Sequence, residues 1–108
     1  MTEIRSNADI EPCLSVVMPV FNESETIAGV CKNVLAQRPV QQLVIVDDYS
    51  TDGTWDKLEP LAQSEPRVKL IRHVFNQGKG AALRTGFAQA AAPFVIVQDA
   101  DCEYDPTE

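Results

Sequence analysis

LVIVDDYSTDGT, residues 43–54, carries an uninterrupted apolar run straight into two adjacent carboxylates and then a polar turn. A short apolar run bounded by turn residues reads as a strand covered on both faces, as in a parallel sheet. Asp47 and Asp48 then stand at its carboxyl end. At an effective dielectric of about 20, two like charges about 4 Å apart repel by roughly 4 kcal/mol, so this edge calls for a divalent cation or for donors such as ribose hydroxyls.

The flanking sequence repeats the unit. LSVVMPVF (14–21) is a first strand, and NESETIAGVCKNVLAQ switches to helical spacing through Ile27, Val30, Cys31, Val34 and Leu35. Asn22 or Ser24 is the expected cap of that helix, with Glu23 and Glu25 at its positive end. A second helix, expected over residues 54–63 and capped by Thr51 or Asp52, turns Trp55, Leu58, Leu61 and Ala62 inward. Pro60 within it predicts a kink or an early end. VKLIRHVF, the glycine-rich NQGKG (76–80), the Ala-rich helix AALRTGFAQAAA and the strand PFVIVQDADC complete the order β-α-β-α-β-α-β. That order predicts an α/β fold: a parallel, Rossmann-like sheet with right-handed crossovers and helices on both faces. Ligands of such sheets bind beyond the carboxyl ends of the strands, and Asp47, Asp48, Asp99 and Asp101 all fall there.

The 108 residues suffice for one domain, with residues 1–12 read as a loose N-terminal arm and 13–108 as the folded unit. A formal charge of -7 argues against nucleic acid and anionic membrane as partners and favours a cation. The apolar runs fall well short of the roughly 20 residues that span a bilayer, and no leader segment is expected. Cys13, Cys31 and Cys102 form no CxxC pair and read as reduced thiols of a cytoplasmic protein, Cys31 as a small core residue.

Within DAD (99–101), a persisting strand would point Asp99 and Asp101 to one side, with Glu103 following. Such hard oxygens suit Mg²⁺ or Mn²⁺. NQGKG is neither a Walker A sequence nor a GxGxxG fingerprint, so Gly78 and Gly80 read as turn and packing residues, with Lys79 and Arg84 either surface charges or diphosphate contacts. His73 reads as structural, and Trp55 as core.

PVFNE, VDDYSTDGT, NQGKGAALRTGF and QDADCEYDP, in this order and spacing over about Leu14 to Pro106, resemble the N-terminal half of glycosyltransferase family 2, in its dolichyl-phosphate mannosyltransferase and polyprenyl-phosphate glycosyltransferase branch. The resemblance implies the nucleotide-sugar-binding half of a GT-A fold. It implies that Pro19, Phe21 and Glu23 line the nucleoside pocket and that Val46 and Asp48 hold base or ribose. Asp99 and Ala100 would contact ribose and diphosphate. Asp101, with Glu103, would bind the Mg²⁺ or Mn²⁺ that bridges the diphosphate. The implied reaction is inverting transfer of a sugar such as mannose from a nucleotide-diphosphate sugar, GDP-mannose or a UDP-sugar, to a polyprenyl phosphate at the inner face of the membrane.

Tyr49 departs from the family's usual Gly, and would be strained if the turn needs φ > 0. The catalytic residues and the acceptor segment of the family are expected downstream of Glu108, so the chain is expected to be an N-terminal piece, inactive alone. The exposed edge of its last strand would invite a homodimer. A silent nucleotide-binding module is the alternative. A receiver-like signalling domain fits less well, because the acidic residues here follow the second and fourth strands.

Overall fold

The computed structural model describes residues 11–100, so most of the expected N-terminal arm lies outside the described residues, as do Asp101, Cys102 and Glu103. The elements are β1 (Leu14–Val20), α1 (Ile27–Leu35), β2 (Val40–Asp47), α2 (Thr54–Ser64), β3 (Val68–Arg72), α3 (Lys79–Gln89) and β4 (Phe94–Val97). Their strands form one parallel sheet in the order β3-β2-β1-β4. The expected α/β architecture is therefore present. No helix among the described residues is long and apolar enough to cross a membrane.

The period of two along each strand sorts the core into two layers. Val16, Met18, Val20, Leu43 and Ile45 face α1 and α2, meeting Ile27, Val30, Cys31 and Leu58. Val17, Val44 and Val46 face α3 and meet Ala82. Each fully buried aliphatic side chain contributes roughly 1.5–3 kcal/mol, which makes β1 and β2 the centre of stability. The thiol of Cys31 sits in the first layer as expected, and burial pushes its pKa up to about 11.

On the second layer α3 lies so close that a Cβ on Gly86 would stand 2.4 Å from Val17 Cγ1 and 3.4 Å from Val46 Cγ2. Gly86 is thus a close-approach residue. Gly78, at φ 94, is the turn residue foreseen in NQGKG, whereas Gly80 already belongs to α3 and needs no such freedom.

Several local expectations are corrected. Thr26, not Asn22 or Ser24, precedes α1, and it makes no side-chain cap. Asn22 instead takes φ 52 and accepts from Thr51 N–H at 2.9 Å. Asp52 does accept from Thr54 N–H at 3.1 Å, but one residue before Gly53, which takes the N-cap position at φ 95. Pro60 neither ends nor shortens α2, which runs on to Ser64. It and Asp56, whose carbonyl loses its helical partner, are both exposed, so water can take the vacant bond. β4 is not covered on both faces: Phe94, Val95, Ile96 and Val97 are 64%, 42%, 47% and 45% exposed, because the helices stack over β1–β3.

One carboxylate ties the ends of β2 and β3 to the start of α3. Asp48 Oδ1 accepts from Gln77 N–H and from His73 Nδ1, each at 2.8 Å, and Oδ2 accepts from Gly78 N–H at 2.8 Å. An ionised carboxylate only accepts, so Nδ1 donates a hydrogen bond to Oδ1, while Nε2 pairs with the Thr85 hydroxyl at 2.8 Å. Burial raises the Asp48 pKa, yet the Gln77, His73 and Gly78 hydrogen bonds and the nearby His73 charge outweigh it, so the group lies below its ordinary 3.8. His73 is structural, as its sequence position implied.

Gly86→Ala should lower stability by roughly 1–3 kcal/mol through overpacking against Val17, read as a shift in the urea midpoint at constant m. The depressed Asp48 pKa contributes stability that is complete above the unfolded-state value and is lost as pH falls through the lower folded value. Asp48→Asn should cost about 1–3 kcal/mol at pH 7 and flatten the acid limb of a stability-versus-pH curve below about pH 4.

Candidate functional site

An open cleft of about 430 Å³ lies at the carboxyl ends of β1 and β4. This is the topological switch point of the sheet, where the connection after β1 runs to one face while α3 delivers the chain to β4 from the other. Pro19, Phe21 and Glu23 line one side, Asp48 and the start of α3 form the floor, and Asp99 and Ala100 close the other side. Six of the seven residues expected to bind substrate thus meet in one cleft.

Val46 is the exception. Its side chain is wholly buried among Val17, Val44 and Ala82 beneath α3, so it is a core residue and does not line the cleft. The expected metal ligands Asp101 and Glu103 fall outside the described residues. Asn76, Gly78, Lys79 and Ala82 also line the cleft, and the sequence reading had not given them a site role beyond an open one for Lys79. The asparagine and lysine bracketing the glycine of NQGKG were the available signal. Asn76 is held by donating Nδ2–H to the Asp48 carbonyl at 3.2 Å.

The two loops that shape the near wall are laced together. Asn22 N–H donates to Ser50 Oγ at 2.9 Å, Glu23 N–H to Thr54 Oγ1 at 3.0 Å, and Ser24 N–H to Asp52 Oδ2 at 3.2 Å. The Thr54 hydroxyl hydrogen bond comes first among the causes that hold the Asp52 pKa down to about 2; burial opposes it, and Ser24 and Thr54 N–H groups add to it. Thr26 Oγ1 donates to the Ala100 carbonyl at 3.3 Å, fastening the chain beyond β4 to the entrance of α1.

The adjacent carboxylates of the opening motif part company. Asp47 is wholly buried and turns away from the cleft, with Oδ1 accepting from Ser50 N–H at 2.9 Å and Ser50 Oγ–H at 2.6 Å. Asp48 turns toward the cleft. Tyr49 follows at φ 65, so the position does demand the left-handed region. Trp55 is half-buried beside Arg72 and is not a core residue.

Asp99 presents a carboxylate to the cleft, and Lys79 Nζ lies 2.7 Å from its Oδ1, with both side chains more than half exposed. Among the described residues no three His, Cys, Asp or Glu side chains cluster as a metal site. A single hard carboxylate at the cleft wall nevertheless suits Mg²⁺ or Mn²⁺, which take much of their coordination from water and phosphate oxygens.

Comparison with known proteins converges on one family. The glycosyl transferase family 2 model matches residues 15–108. The chain is 34% identical over 95 residues to a dolichol-phosphate mannosyltransferase of Pyrococcus furiosus, covering 86% of this chain and 27% of that protein. It is 35% identical over 101 residues to an undecaprenyl-phosphate 4-deoxy-4-formamido-L-arabinose transferase of Pectobacterium carotovorum, covering 88% and 31%. The chain therefore spans less than a third of the length of these relatives. Its fold superposes with a TM-score of 0.76 and 28% identity on a Pyrobaculum calidifontis mannosyltransferase in complex with GDP-Man and Mn²⁺, covering 92% of this chain and 30% of that one. With S. aureus TarS 1–349 in complex with UDP the TM-score is 0.74 at 27% identity, covering 82% and 27%. With the family model spanning nearly the whole chain and both solved neighbours sharing its sheet, this protein belongs to glycosyl transferase family 2.

Proposed function

We propose that the cleft is the donor site of a glycosyltransferase that takes a nucleotide-diphosphate sugar and passes the sugar, with inversion, to a polyprenyl phosphate. The observation that carries this reading is the gathering of Pro19, Phe21, Glu23, Asp48, Asp99 and Ala100 around one opening at the switch point. In this reading residues 13–108 are the nucleotide-sugar-binding subdomain, and the catalytic residues and acceptor site belong to a continuation of the chain. The names of the relatives, a dolichol-phosphate and an undecaprenyl-phosphate transferase, support the acceptor class, and with a lipid-borne acceptor the reaction would run at the inner face of the membrane.

Phe21, about half exposed, offers a flat apolar surface to the nucleoside. An ionised carboxylate has roughly four acceptor positions, and protein donors take three on Asp48, leaving Oδ2 one for a base N–H or a ribose hydroxyl. Lys79 would exchange Asp99 for the diphosphate as the ligand enters. Asp101, with Glu103, would hold Mg²⁺ or Mn²⁺ beside Asp99, and the ion when bound would offset charge developing on the departing nucleoside diphosphate. The exposed apolar edge of β4 is the surface on which a homodimer would form.

Calorimetric titration with GDP and UDP, each with and without Mn²⁺, tests the reading. One nucleotide should bind in a metal-dependent way, and Asp101→Ala should weaken it by about tenfold or more, the loss of one charge-assisted ligand. Folded protein that binds neither nucleotide would overturn the assignment. Lys79→Met should weaken the diphosphate by roughly tenfold while leaving the free nucleoside nearly unaffected, because the lysine's charge acts in this reading on the phosphates.

A further inference from the structure

Arg72, the last residue of β3, reaches across the carboxyl end of β2 and makes four contacts there. Its guanidinium carbon lies 5.4 Å from the Tyr49 ring centroid and 5.1 Å from that of Trp55. Nη2 donates to the Ser50 carbonyl at 3.1 Å, and Nε stands 3.9 Å from Asp47 Oδ2. That oxygen is buried and has no hydrogen-bond partner, so the guanidinium supplies the positive charge facing it.

These contacts converge on a strained residue. Tyr49 is held at φ 65, a conformation that a bulky L residue keeps only when its surroundings over-determine it. A planar guanidinium can stack on two rings while its edge donates to a carbonyl, which a lysine ammonium cannot match. The residue before Tyr49 is Asp48, which lines the cleft.

We propose that Arg72 is a positioning residue of the cleft: gripped between Tyr49 and Trp55 and bonded to Ser50, it locks residue 49 in the left-handed conformation and so aims Asp48 at Gln77, Gly78 and the cleft. The clamp compensates for the tyrosine at position 49. A glycine there would adopt the same turn unaided and make the clamp dispensable. A role limited to balancing the Asp47 charge would predict the opposite: lysine would suffice at 72, and glycine at 49 would rescue nothing.

The test compares Arg72→Gln, Arg72→Lys, Tyr49→Gly and the Arg72→Gln/Tyr49→Gly double variant. Amide exchange at Ser50 and Thr51, whose N–H groups donate to Asp47 Oδ1 and Asn22 Oδ1, reports the turn without any ligand. Trp55 is the only tryptophan in the sequence, so its emission reports the stack. Arg72→Gln and Arg72→Lys should each lose about tenfold in protection and shift Trp55 emission to the red, with global unfolding still cooperative. The double variant should match Tyr49→Gly alone, within about threefold of the original protection. Unchanged exchange in Arg72→Gln, full protection in Arg72→Lys, or a double variant as labile as Arg72→Gln would overturn the proposal. Nucleotide affinity should follow the same pattern, an arm that rests on the donor-site reading. If the original protein binds no nucleotide while the exchange pattern holds, the donor reading fails and the clamp stands.

Discussion

The Asp48 carboxylate is the constraint on which the cleft depends. Two backbone N–H groups at the start of α3 and the buried His73 ring converge on it, so the end of β2, the residue after β3 and the entrance of α3 share one anchor. Three donors outweigh the desolvation of a buried charge, which is why the group stays ionised inside a protein that already carries net charge -7. The free end of α3 is thereby neutralised from within. Its N-terminus is not a vacant anion site, and the nearby positive charge available to a ligand is the lysine one residue on.

Against this anchor, the loops after β1 and β2 behave as one body. Hydrogen bonds from Asn22, Glu23 and Ser24 to Ser50, Thr54 and Asp52 mean that neither loop can shift without the other. A wall built this way is organised before a ligand arrives, which spares the ordering cost that a flexible loop incurs on binding. The far wall is different in kind: Asp99 and Lys79 are exposed and joined by a salt bridge in water, an arrangement that costs little to rearrange. One side of the cleft is thus rigid and shape-defining, while the other holds exchangeable charges suited to a diphosphate and its cation.

Two adjacent aspartates ended up with separate work. Asp47 shapes the turn through Ser50 and faces Arg72, whereas Asp48 serves α3 and the cleft. Their charges are managed by different partners on opposite sides of the strand, as the two-residue period requires. The tyrosine between these carboxylates and Ser50 makes the turn strained, and the aromatic and guanidinium groups around it are where that strain is borne.

The order of strands and helices, the parallel sheet, the two-sided burial of β1 and β2 and the placement of acids at strand ends could all be read from apolar periodicity, because hydrophobic runs and their polar stops are local properties of the chain. The resemblance of four motifs in sequence was enough to indicate the family and most of the cleft residues. What periodicity could not convey was direction and proximity across long separations. Val46 reads as part of a site motif, yet α3 covers it; Asn76 reads as loop and Lys79 as either a surface charge or a diphosphate contact, and the crossover brings them beside Asp48 and Asp99. Asn22, Asp52 and Pro60 likewise took their roles from partners in other loops or from solvent rather than from helix rules. The exposure of β4 follows from which strands the helices cover. Local chemistry determined which elements form and where they stop. Only the packed tertiary structure, by bringing residues 25 to 74 positions apart into hydrogen-bond range, decided which way each carboxylate faces and what it can hold.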